Sequence, residues 1–138
     1  MKIIDVYTDG ATIGRNGKLG TVKEVGLGLY IPELEHADCK RVKGISNNEA
    51  EFKALIWGME VAIKEGLKNV KFNSDSKIII NRANGSRPKK KYWNERMNAF
   101  QDKVFELKKH FDNISFKWIP RENNITADLY SNMAKDLD

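Results

Sequence analysis

Short apolar runs closed by turn residues open the chain, and apolar positions three and four apart dominate afterwards. KIIDVYT (2–8) is the first run, expected to be a strand ending at the Asp9-Gly10 turn. GATIGRNGKLG (10–20) reads as a glycine-rich loop, and VGLGLYI (25–31) as a second strand. A turn over 32–35 leads to a third, HADCKRVKG (36–44), so the first third of the chain is an antiparallel meander. SNNEAEFKALIWGME (46–60) then opens an amphipathic helix that ends near Gly66. NVKFNSD (69–75) is a fourth strand, SKIIINRAN (76–84) a short helix, and 85–91 a polar loop. Met97, Phe100, Val104, Leu107 and Phe111 keep helical spacing through 94–111. ISFKWIP (114–120) is the last strand and TADLYSNMAKDL (126–137) the last helix. Three strands followed by helices alternating with two more predict an α/β fold with a mixed sheet.

Projected at about 100° per residue, the first helix places Glu49, Lys53, Glu60 and Lys64 on one polar pole. Glu49 and Glu60 are therefore expected to be solvated. Glu51 falls in the middle of the apolar arc, between Leu55, Met59 and Ala62 on one side and Ala54, Gly58 and Val61 on the other. An ionised carboxylate there is costly unless a metal or a hydrogen-bond network compensates it. Alternatively Asn48 is the N-cap and Glu51 the N3 glutamate of a capping box. Taken alone, capping is the more economical reading, so the question turns on whether Glu51 has company.

Three other acids stand at element ends. Asp9 closes the first strand and Asp75 the fourth. If those strands are parallel neighbours, the two carboxylates come close together. Asp128 lies in the first turn of the last helix, where an acid also complements the helix dipole. Each has a plain alternative: a turn-favouring Asp-Gly pair, a polar strand-to-helix turn, a dipole partner. Asp5 shares a face with Asp9 but lies roughly 13 Å back along the strand, too far to join the group. Together the four acids would repel one another unless divalent cations relieve them, and oxygen-only ligation suits Mg²⁺ or Mn²⁺ rather than Zn²⁺. His36 and His110 fit no metal spacing.

The totals agree with this picture. The 138 residues are the length of one domain (1–138) and carry 24 Lys+Arg against 19 Asp+Glu, a net charge of +5 that suits a polyanionic partner. Cys39 is the only cysteine, which fits a reducing cytoplasm. The charged N-terminus is not a signal peptide, and no apolar run approaches membrane-spanning length.

YTDGA (7–11), SNNEAE (46–51), SDS (74–76) and WIPRENNITAD (118–128) resemble, in order, spacing and context, the pattern of type 1 ribonucleases H. The resemblance runs from Ile3 to about Met133. It implies a ribonuclease H-like, five-stranded mixed sheet flanked by helices, with three antiparallel strands and then two parallel ones. It also implies a catalytic and metal-binding set of Asp9, Glu51, Asp75 and Asp128 for two Mg²⁺ ions, with Mn²⁺ as substitute and Asp9 bridging both. Family members cut the RNA strand of RNA/DNA hybrids internally, leaving 5′-phosphate and 3′-hydroxyl ends. The RNA 2′-hydroxyl would be read by Gly10, Ala11 and Thr12 with Asn47 and Asn48. Ser46 and Arg15 would contribute to holding the DNA strand. The expected assembly is a monomer with no obligate protein partner.

The sequence departs from the family pattern in two places. The segment before Asp128 is short and has no histidine, leaving Arg121 or Glu122 for part of that role. A basic protrusion seen in many relatives is replaced by NRANGSRPKKKYW (81–93), where Arg87, Lys89, Lys90 and Lys91 would supply charge beside Tyr92 and Trp93. Trp57 and Trp118 are expected to pack against the core or sheet.

Overall fold

The computed structural model describes residues 2–13, 23–89 and 94–137. Its elements, in chain order, are β1 (Ile4–Thr12), β2 (Glu24–Ile31), β3 (His36–Lys43), α1 (Asn47–Lys64), β4 (Asn69–Ser74), α2 (Lys77–Ala83), α3 (Glu95–Lys108), β5 (Asn113–Trp118) and α4 (Ile125–Met133). Three short 3-10 turns, Pro32–Leu34, Arg121–Asn123 and Ala134–Asp136, join or extend them. The sheet has five strands in the order β3-β2-β1-β4-β5. The β1–β2 and β2–β3 pairs are antiparallel, and β1–β4 and β4–β5 are parallel.

One difference from the sequence reading concerns β1. The Asp9-Gly10 pair does not end the strand: pairing with β2 continues through Asp9↔Gly28 and Gly10↔Leu27 to Thr12↔Val25. Local turn preference loses here to a ladder that β2 extends.

Alternation along β2 sorts the two faces. Val25, Leu27, Leu29 and Ile31 are buried on the face that α1 covers, where Val6, Phe52, Leu55, Met59, Phe72, Ile79, Val104 and Phe116 complete the main core. Gly26 and Gly28 point the other way, toward α4. A Cβ on Gly28 would lie 2.0 Å from the Ala127 carbonyl oxygen, so only glycine lets α4 settle onto the strand. Trp57 is partly buried against both clusters, as expected. Trp118 is not packed away: it is 40% exposed at the sheet edge. Among the described residues, no helix is long and apolar enough to cross a membrane.

Candidate active site

The parallel pairing that the sequence left conditional is present. Tyr7 pairs with Asn73, and carrying that register two residues on sets Asp9 beside Asp75. Glu51 arrives from the opposite face. Gly10 runs so close to α1 that an added Cβ would lie 2.3 Å from the Ala50 carbonyl. That approach lets the Gly10 N–H donate to the Glu51 carboxylate. Asp9, Glu51 and Asp75 thus offer oxygens within 4.8 Å of one another. α4 completes the surroundings: Ser131 Oγ donates to Asp9 Oδ2 at 2.8 Å. The Trp118 indole N–H donates to the Asp75 carbonyl at 3.1 Å, fixing the backbone where β4 ends.

Asp128 stands on the same rim without joining the tight trio. It lines a cavity of about 400 Å³ together with Asp9, Gly10, Ala11, Asn47, Asn48, Glu51, Asp75, Ser76, Arg121 and Asn132. Its carboxylate is 3.8 Å from the exposed Arg121 guanidinium, and Asn132 Nδ2 donates to its main-chain oxygen at 2.9 Å. Among the described residues, Asp9, Glu51 and Asp75 form no ion pair with a lysine or arginine.

Electrostatics records the cost of that arrangement. Burial, with the Asp75 and Asp128 carboxylates adding to it, pushes Asp9 up to about 7, against the bonds from Glu51 and Ser131. Burial and then the Asp9 charge push Glu51 up to about 10, with the Gly10 N–H opposing. A partly buried trio of oxygen donors, with no lysine or arginine paired to it among the described residues, fits a hard divalent metal ion.

A family model described as reverse transcriptase-like matches residues 36–134. The protein EbsB of Enterococcus faecalis is 30% identical over 96% of this chain and 93% of its own length. The crystal structure of RNase H1 from the archaeon Halobacterium salinarum superposes with a TM-score of 0.79 at 25% identity, covering 98% of both chains. This chain belongs to the ribonuclease HI-like family. LC11-RNase H1, a family member isolated from compost, superposes in its complex with an RNA/DNA hybrid at a TM-score of 0.75 and 27% identity over 96% of each chain. Against curated Mycobacterium tuberculosis relatives at 30% identity, the chain spans only 36% of their length.

Within this ribonuclease HI-like site, Ser46 and Thr12 lie behind the cavity. Ser46 is the N-cap of α1, accepting the Glu49 N–H at 3.1 Å. The expected Asn48 cap and N3 role of Glu51 are therefore displaced by two residues. The Thr12 N–H donates to Asn47 Oδ1 at 3.2 Å. Arg15, Lys90, Lys91, Tyr92 and Trp93 lie outside the described residues. Arg87 is engaged with Gln101 and Asp102, both at 2.6 Å.

Glu49 corrects the helical projection. It is 1% exposed rather than solvated, because α3 covers that pole of α1. Arg96 Nε and Nη2 bind its Oε1 at 3.0 and 2.5 Å, and the Ile45 N–H donates to Oε2 at 2.9 Å. Burial drives this carboxyl upward, but Arg96, the Ile45 N–H and Lys53 outweigh it and leave Glu49 below its ordinary value. Arg82, also missed from sequence, is buried, and its Nη1 has no hydrogen-bond partner among the described residues. It lines a groove of about 340 Å³ shared by Asn48, Ser86 and Asn94.

Proposed function

We propose that this chain is an endonuclease that hydrolyses the RNA strand of RNA/DNA hybrids, depends on two divalent ions, and leaves 5′-phosphate and 3′-hydroxyl ends. The observation that carries this reading is the trio of Asp9, Glu51 and Asp75 lining an open cavity, with no lysine or arginine paired to it among the described residues. A protein of net charge +5 gains nothing from such a cluster unless ions from solution neutralise it against a polyanion. Asp9, Glu51 and Asp75, with Asp128 at the rim, would hold magnesium, or manganese in its place. When bound, the ions supply an activated water and neutralise charge on the leaving 3′-oxygen.

The remaining work falls to the chain's own groups. Asn47 and Asn48 are exposed at the cavity edge beside the Gly10–Ala11 backbone, a polar set suited to the 2′-hydroxyl that separates RNA from DNA. Asn48 also lines the groove bordered by Arg82, so one side chain borders both depressions. The Arg82 guanidinium places positive charge beside that groove, which suits the phosphates of a hybrid's second strand. LC11-RNase H1, similar in fold, binds an RNA/DNA hybrid in its solved structure, which supports the same partner here. We read the chain as a single catalytic domain acting as a cytoplasmic monomer.

The test is a cleavage assay on end-labelled RNA/DNA hybrid, RNA duplex and DNA duplex, with Mg²⁺, Mn²⁺ or EDTA. Internal cuts confined to the RNA of the hybrid are expected, lost in EDTA and reduced at least about 10³-fold in Asp9→Asn and Glu51→Gln. Hybrid binding with no cleavage under either metal would replace this reading with that of a binding module.

A further inference from the structure

We propose that Glu49 and Arg96 form a positioning pair that sets the spacing between the starts of α1 and α3; the inference rests on the hybrid-cleaving reading above. A buried ion pair is a poor means of gaining stability, since well-packed apolar residues do as well or better. What it supplies instead is fixed geometry, because a guanidinium fork meets a carboxylate in few orientations. Both Arg96 nitrogens converge on one Glu49 oxygen, while the other oxygen takes the Ile45 N–H just ahead of α1. Lys53 stands 3.5 Å from the same carboxylate and also donates to the Lys43 carbonyl.

The turn held in this way carries Asn47 and Asn48 and leads into Glu51. On its other side it is tied to β1, through the Thr12 N–H on Asn47 and the Gly10 N–H on Glu51. It is therefore gripped by the sheet from one side and by α3 from the other. Asn48 of α1 and Asn94, the cap of α3, line one groove, and Glu49 and Arg96 link the two helices that border it. Releasing the pair loosens that groove while leaving the acid trio attached to β1 and β4. The pair touches no reacting atom, so its effect belongs in substrate binding rather than turnover.

Arg96→Met and Glu49→Gln test this in the full chain, with Arg96→Lys as the conservative control. Steady-state kinetics on the hybrid should show KM raised about tenfold in both variants and kcat within about twofold of wild type, with Arg96→Lys recovering part of the loss. The backbone amide resonances of Thr12 and Asn48, read by NMR without substrate or metal, should shift in both variants. Lowered thermal stability with KM and those resonances unchanged would make the pair merely structural and overturn the proposal. A wild type that leaves the hybrid uncut counts against the hybrid reading alone, because the resonances still decide whether the pair positions the turn.

Discussion

The α1–α3 contact around Glu49 and the strand-end cluster around Glu51 hold two carboxylates, two residues apart, in opposite ways. Glu49 is buried and neutralised from within the fold by Arg96 and Lys53, and its carboxyl stays below the ordinary value. Glu51 is surrounded by further acids, has an N–H donor but no paired lysine or arginine among the described residues, and is pushed up to about 10. The side chain and the helix are the same, and only the compensation differs. Where a carboxylate serves geometry, the chain brings its own cation. On the function proposed above, Glu51 serves chemistry and takes its cation from solution.

The largest break in this contrast comes from Gly10, which brings β1 against the helix that carries both glutamates. Gly10→Ala places a methyl 2.3 Å from both the carbonyl carbon and oxygen of Ala50 and 2.6 Å from the Glu51 nitrogen. Backbone cannot move aside as a flexible side chain can, so α1 must shift, and Glu51 loses its place beside Asp9. A displacement of about 1 Å costs about a hundredfold in turnover. Single-turnover cleavage of hybrid by Gly10→Ala checks this; activity within threefold of wild type would show that the close approach does not position Glu51.

Gly10 also shows how far the sequence can be read. Its Asp-Gly context signals a turn, and nothing local reports that β2 extends the ladder past it or that α1 lies above it. Glu51 was legible only through its company: its place in an apolar arc raised the question, its own helix favoured capping, and the other acids at element ends tipped the balance. Glu49 was not, because a helical projection knows only its own helix, and Arg96 lies 47 residues further on, brought by tertiary packing. Asp75 could be placed once β1 and β4 were taken as parallel neighbours. Asp128 could not be placed by periodicity at all, since its face of α4 is polar whatever it does. Trp118 was expected to be packed from its size, yet its exposed indole is spent on the Asp75 carbonyl.

The contrast sharpens when the two glutamates are neutralised separately in EDTA at pH 7. Glutamine imitates a protonated glutamate. With Glu51 pushed up to about 10 on folding, wild type must take up a proton that the unfolded chain lacks at pH 7, so Glu51→Gln should raise the unfolding free energy rather than lower it. Glu49→Gln leaves Arg96 and the Ile45 N–H facing an amide, and should cost about 2 kcal/mol, less than a fully buried pair because Arg96 is half-exposed. Urea unfolding of the two variants measures both. Equal losses would mean that Glu51 is ionised and compensated by something other than a proton.

The last effect is a slope. Burial pushes Asp9 up to about 7 and Glu51 up to about 10, above their ordinary values of 3.8 and 4.5. A carboxyl raised on folding makes the native state bind more protons than the unfolded chain, so stability falls as pH rises between the two values. In EDTA the Asp9 contribution is lost between about pH 4 and 7, and the Glu51 contribution continues to fall toward pH 10. Glu49 has the opposite sign: its lowered value adds stability above its unfolded pKa, and that stability is lost only in acid, outside this window. Melting temperatures from pH 5 to 9 in EDTA should therefore decline, and Glu51→Gln should flatten the decline above pH 7. Magnesium at saturation binds the ionised carboxylates of the native state alone, so its curve should part from the EDTA curve as pH rises. Parallel curves would mean that protons and magnesium do not compete for these oxygens, and the trio would lose its standing as a metal site.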